Sequence, residues 1–444
     1  MGRRERVGPP VTPQPEPGAD RSGDSYLPAH GNGGYRVRHY DLDLEYRPVA
    51  NRLSGTARIT AVATQPLSAF TLDFTDYKLS RVQVSGTNAR YTHRGHKLRV
   101  KPARSIAEGA EFTVEVRYAG NPEPLSSPEW GDVGWDELTE GALVASQPIG
   151  APTWFPCNDH PADKATYRLA LKVPAPYTVV ATGGLVDRRR SASTVRWVFE
   201  CTAPTAPYLV SVQIGYYEEE DLGGARLFVP TRLREDARVD FGRQPDMRTA
   251  LEGWFGPYPF DDYAVVVTDD ELDDPIEAQA MAVFGAGHVD GERTHERLVV
   301  HEFAHQWFGN SLTVADWRHI WLNEGFATYA EWLWSESSGG ESADTLARRW
   351  RGAPAQQGSG PRIADPGVAD MFSERVYKGG ALTLHALRGE LGDETFFALL
   401  RDWTSTHRHS TVTTAEFTAL AARHAGRSLD RFFTTWLDSD VLPR

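Results

Sequence analysis

The chain has 444 residues, and 47 Lys and Arg against 60 Asp and Glu give it a net charge of −13. That length exceeds one ordinary domain and points to two or three units with sizeable cores, while the acidic balance argues against nucleic acid or an anionic membrane surface as the main partner. No apolar window approaches the roughly eighteen residues of a membrane span, and the two cysteines, Cys157 and Cys201, read as buried thiols rather than a disulfide scaffold.

Met1 to Ser25 are rich in Arg, Pro, Gly and Asp and lack the apolar core of a secretory signal. Residues 1–29 are therefore expected to form a disordered tail. A cytoplasmic location is the matching expectation, and a leader upstream of this chain would replace it with secretion. From 30 to 218, alternating runs dominate, as in Tyr40 to Tyr46, Phe112 to Tyr118 and Tyr167 to Val173. Apolar and polar residues in alternation make half-buried strands with one packed and one wet face, so this stretch is predicted to be a mainly antiparallel β domain.

From 219 to 444 one buried strand, Tyr263 to Val267, gives way to helical patterns, and the fold class is α+β. One helix can run from about Glu292 to Phe308, with Leu298, Val299, Phe303 and Trp307 available for packing. In a second, Leu322, Phe326, Tyr329 and Leu333 form one apolar stripe. Thr413 to Glu416 resembles a capping box ahead of Phe417, and a last short helix is predicted through Leu429 to Leu437.

The chemistry concentrates in His301-Glu302-Phe303-Ala304-His305. Residues four apart share a helix face, so two imidazoles can reach one ion while Glu302 points to its open coordination position. Glu324 follows after eighteen intervening residues, and two His plus one Glu is a recurring zinc set that leaves the fourth position to water. A bare His-Glu-x-x-His also occurs by accident on solvated helices. The second helix, which brings Glu324 back toward the pair, favours the metal reading.

His301 to Asn310 (His-Glu-Phe-Ala-His-Gln-Trp-Phe-Gly-Asn), together with Trp321-Leu322-Asn323-Glu324-Gly325-Phe326-Ala327, resembles the signature of the gluzincin zinc aminopeptidases, the group of the alanyl aminopeptidases and the leukotriene hydrolase. The resemblance implies a thermolysin-like, mainly helical catalytic domain over 219–444, behind the β domain of 30–218. It also implies one zinc ion per chain held by His301, His305 and Glu324, with Glu302 as general base. Asp274-Pro275-Ile276-Glu277-Ala278 is similar to the family segment whose Glu binds the substrate's amino terminus, although Ala278 stands where the family has Asn. Val376-Tyr377-Lys378-Gly379-Gly380-Ala381 resembles the segment whose tyrosine supports the oxyanion, with Gly379 where the family has a basic residue. Gln147, in Ser146-Gln147-Pro148-Ile149-Gly150, matches a substrate-backbone contact, but Ile149 replaces an acidic residue. Resemblance covers almost everything beyond residue 30 and reaches the first two domains of longer members.

The implied activity is a zinc-dependent aminopeptidase that removes the N-terminal residue from peptides with a free amino terminus, using zinc-activated water. The same site could instead serve an endopeptidase or an epoxide hydrolase, since fold leaves substrate open. A non-catalytic peptide-binding protein with structural zinc is a third reading, which needs neither Glu302 nor Tyr377.

Overall fold

The structure is a computed structural model and describes residues 14–353 and 356–443. In the amino-terminal half, strict alternation sends Tyr40, Leu42, Leu44 and Tyr46 of strand Tyr35–Arg47 inward. That strand lies within an eight-stranded sheet ordered Gly184–Ser191, Thr194–Thr205, Ala165–Pro174, Tyr35–Arg47, Arg52–Ala63, Glu111–Gly120, Lys78–Val84 and Thr87–Asn88. Its pairings are antiparallel except that Ala165–Pro174 runs parallel to Tyr35–Arg47, which sets Tyr167 opposite Tyr40 with their rings stacked 4.9 Å apart. A five-stranded sheet that includes Gly131–Leu138, Gly141–Ala145 and Val212–Gly215 shares one apolar core with it through Trp135, Val144 and Ile214. Each large side chain so buried contributes about 1.5–3 kcal/mol, and Cys157 and Cys201 are buried and unbridged.

The second half begins with a five-stranded sheet ordered Glu218–Asp221, Arg226–Val229, Ala264–Val267, Met281–Phe284 and Ile276–Ala278. Glu218 pairs with Val229 and so already belongs to this sheet. Among the described residues nine helices follow the first strands: α1 (Arg234–Phe241), α2 (Gln244–Phe255), α3 (Glu296–Ala304), α4 (Trp321–Ser337), α5 (Ala343–Gly352), α6 (Glu374–Leu391), α7 (Asp393–Thr406), α8 (Thr414–Ala425) and α9 (Asp430–Leu437). Thr413 and Glu416 close the capping box of α8. No described helix is long and apolar enough to cross a membrane.

Three expectations are revised. The histidine helix is shorter than Glu292 to Phe308. Asp240 accepts the backbone N–H groups of Asp290, Gly291 and Arg293, and the last two residues have positive φ, so helix α3 starts only at Glu296. Helix α4 buries more than the one expected stripe: every residue from Trp321 to Trp334 is buried, the polar Asn323, Glu324, Thr328 and Glu331 included.

The expected tail is the third. Residues 1–13 lie outside the described residues, but 14–29 are packed. Glu16–Pro17 pairs with Leu67–Asp73, and Leu27 enters the core of the helical half. Buried Asp24 accepts the N–H groups of Tyr26, Leu27 and Trp317, and Tyr26 donates to Asp365. This segment thus bridges the two halves.

Candidate active site

Helix α3 ends at Ala304, and His305 is the first residue past it, with its backbone still in the α region. One turn of helix therefore separates His301 from His305, and their rings lie 4.8 Å apart. Glu324, in the first turn of α4, meets both: its Oε2 is 3.5 Å from His301 Nε2 and 3.4 Å from His305 Nε2. One donor atom from each residue falls within 4.8 Å of the others. The opposite ring nitrogens are occupied, His301 Nδ1 by Glu331 at 2.8 Å and His305 Nδ1 by the Phe308 carbonyl at 2.9 Å. Such partners fix the tautomer that turns a bare Nε2 toward a metal.

The donor set fits zinc electrostatically as well. His301, His305 and Glu324 are 6, 2 and 2% exposed, so their charges have little water to stabilise them. Burial lowers the basicity of His305, but Glu324, Glu277 and Glu302 outweigh it and raise its pKa. Burial likewise opposes ionisation of Glu324, and His305 and His301 overcome it and hold the carboxyl below its usual range. The cavity concentrates carboxylates around two imidazoles and so favours a cation between them.

Glu302 is buried, and its Oε2 has no hydrogen-bond partner among the described residues. Burial pushes its pKa up, His301 and His305 pull it down, and Glu324 and Glu331 add to the rise. Glu277 stands on the edge strand Ile276–Ala278, opposite Ala282, with Oε1 buried and unpartnered. Burial raises its pKa against His305, with Glu324 and Glu302 reinforcing the rise. Gln147 Nε2 is a third buried polar atom without a partner. Tyr377, on α6, lies parallel to the His301 ring at 5.9 Å. Burial, then Glu324, Glu277 and Glu302, raise its phenol well above the ordinary value, so it stays a donor. Ile149 is half-buried and packs against the core of the helical half.

Sequence reasoning passed over residues that hold this arrangement. Gln306 donates to the carbonyls of Ala278 and Met281 and accepts from Ala280 N–H, while Asn310 donates to the Ala278 carbonyl. Residues of the histidine segment thereby fix the strand that carries Glu277. Glu331 was readable in principle, since it lies seven residues beyond Glu324 and shares its helix face. Lys164 carried no such signal; it reaches from the β domain to the carbonyls of Asn310 and Ser311.

Two histidines and a glutamate on packed helices, with an unpartnered carboxylate and a phenol beside them, define a zinc hydrolase. Comparison narrows the class. The family model for the peptidase family M1 domain matches residues 246–436, and that for the M1 N-terminal domain matches residues 37–209. An M1 zinc metallopeptidase from Deinococcus radiodurans is 30% identical, with a TM-score of 0.86 over 95% of this chain and 98% of that one. A further structure of an M1 zinc metallopeptidase from that organism, 31% identical, holds a Tyr-Ser-Ala substrate. Aminopeptidase M1-A of Oryza sativa subsp. japonica is 26% identical over 336 residues, and leukotriene A-4 hydrolase of Xenopus laevis is 22% identical over 415. The match covers 68% of this chain and 37% of the rice protein, and 86% and 67% for the Xenopus protein. This chain belongs to peptidase family M1, the zinc metallopeptidases, and spans about two-fifths of the length of the plant aminopeptidases it matches.

Proposed function

We propose that this chain is an aminopeptidase that removes the first residue of peptides with a free amino terminus. The observation that carries the reading is Glu277. A buried, unpartnered carboxylate oxygen beside the metal ligands is costly unless a cation completes it, and a substrate ammonium would do so. The names of the plant relatives and the tripeptide in the Deinococcus structure support it.

His301, His305 and Glu324 would hold the zinc, which would supply a Lewis acid for the scissile carbonyl and for the attacking water. Glu302 takes a proton from the attacking water at its free carboxylate oxygen and then delivers it to the leaving nitrogen. The Tyr377 hydroxyl donates to the oxygen on which negative charge develops. Glu277 holds the ammonium, and Gln147 supplies an amide donor to the substrate backbone. The register between ammonium and scissile bond then admits only the first peptide bond.

The test is turnover of an amino-acid amide with and without an amino-terminal acetyl group, on protein of measured zinc content. The reading requires strong preference for the free amine. Equal cleavage of both would leave a zinc hydrolase and remove the aminopeptidase.

A further inference from the structure

Helix α4 grips the His301 ring at both nitrogens. Glu324 Oε2 lies 3.5 Å from Nε2, and Glu331 accepts from Nδ1 at 2.8 Å. Glu331 is itself buried and meets two cations, with Arg297 Nη1 at 3.2 Å and Lys378 Nζ at 3.4 Å. These cations are not equivalent. The Arg297 side chain is 56% exposed, whereas that of Lys378 is 8% exposed and has its ammonium 4.9 Å from the Trp350 ring. An exposed ion pair is largely screened, but a buried carboxylate that loses a buried counter-charge is left uncompensated.

Lys378 directly follows Tyr377 on α6. These consecutive residues therefore reach the same imidazole by two routes: Tyr377 lies against the face of His301, and Lys378 acts through Glu331 on its Nδ1. The next position offers no alternative seat for the cation. A Cβ on Gly379 would stand 2.7 Å from Ile363 Cδ1, so any side chain there would have to displace the tip of Ile363.

We propose that Lys378 is a positioning residue that, through Glu331, locks the His301 ring for zinc and fixes the Tyr377 hydroxyl relative to it. Metal retention and oxyanion support are then set by one buried ion pair joining α4 to α6. The inference rests on the hydrolase reading for its kinetic readout alone; zinc release tests it without any substrate.

The experiment compares Lys378→Met, which keeps the chain length and removes the charge, with Lys378→Arg, which keeps the charge. Zinc release from the holoenzyme to a chromogenic chelator and steady-state kinetics on an amino-acid amide are the readouts. Losing a partner of this kind typically costs about 10–100-fold in metal affinity or activity. Lys378→Met should release zinc at least about tenfold faster and lower kcat about tenfold with KM nearly unchanged, and Lys378→Arg should fall between it and the parent. In a Tyr377→Phe background, Lys378→Met should accelerate zinc release as before but reduce kcat little further. Zinc release at the parental rate in Lys378→Met, equal release by the Arg and Met variants, or multiplicative losses of kcat in the Tyr377→Phe background would each overturn the assignment. Arg297→Met, at an exposed side chain, guards against misfolding of Lys378→Met. It should release zinc near the parental rate, and a tenfold acceleration there would move the counter-charge role from Lys378 to Arg297.

Discussion

Gly325 and Gly380 meet backbone to backbone where α4 crosses α6. A Cβ on Gly380 would stand 2.8 Å from Gly325 Cα, and one on Gly325 would stand 2.9 Å from Gly380 Cα. Gly325 follows Glu324, and Gly380 lies one turn beyond Tyr377, so this crossing sets the distance from metal ligand to phenol. Backbone cannot yield as a flexible side-chain tip can, and overpacking of this kind costs about 1–3 kcal/mol. Gly380→Ala should therefore lower the melting midpoint and reduce kcat. A displacement of about 1 Å at reacting groups can cost about a hundredfold. Unchanged kcat would show that the crossing does not set the geometry.

Glu302→Gln preserves size and removes the base. It should retain one zinc per chain while kcat falls about 10²–10⁴-fold. Glu324→Ala deletes a metal ligand and should lose zinc on dialysis against a chelator. Metal analysis and kinetics on the two variants separate these roles; normal turnover in Glu302→Gln would remove it as the base.

Tyr377→Phe removes one hydroxyl. Zinc content and melting midpoint should hold while kcat drops about 10²–10³-fold, the usual cost of one oxyanion donor. The Tyr329 hydroxyl already shares a hydrogen bond with His385, whereas buried Tyr263 has no partner for its own. Retained activity would therefore direct attention to Tyr263.

The segment around Asp24 was expected to be disordered and instead joins the two halves. Asp24→Ala would leave two buried backbone N–H groups, those of Leu27 and Trp317, and the half-buried one of Tyr26 without their acceptor, at about 1–3 kcal/mol for each buried group. Leu27→Ala opens a cavity in the helical half, at about 2–5 kcal/mol. Both should lower the melting midpoint by several degrees. A midpoint equal to the parent's in both variants would restore the view of a dispensable tail.

What the sequence made legible follows from local geometry. Helical spacing alone puts His301 and His305 on one face, and strict alternation names the inward side chains of Tyr35–Arg47. What escaped depends on partners distant in the chain. The start of α3 is set by Asp240, more than forty residues upstream. Glu331 acquires its role only because α4 turns the same face to His301 as Glu324 does. Composition averaged over Met1 to Ser25 concealed Asp24, which accepts the N–H of Trp317 nearly three hundred residues away.

The amine pocket gives the last prediction. On the proposed reading Glu277 is the carboxylate that meets the ammonium; Ile149 packs against the core of the helical half, and Ala278 gives its carbonyl to Gln306 and Asn310. Amine capture should therefore be present but weak, with a high KM for small aminoacyl substrates. Glu277→Ala should lower kcat/KM for free-amino substrates by about 10–100-fold, as expected for a charge-assisted bond of about 1.5–3 kcal/mol, and leave acetylated substrates nearly unaffected. Ile149→Glu should lower KM for the free amine by adding a second anion. Nearby acids give a further check: Asp269 is paired with Arg232, whereas Asp270 accepts from the neutral Thr139, so the steering field of this loop comes chiefly from Asp270, Glu271, Asp273 and Asp274. Added salt should screen that field and reduce kcat/KM for cationic substrates more than for neutral ones. If Glu277→Ala lowers kcat/KM equally for free and acetylated substrates, the carboxylate does not hold the ammonium, and the exopeptidase register must be set elsewhere.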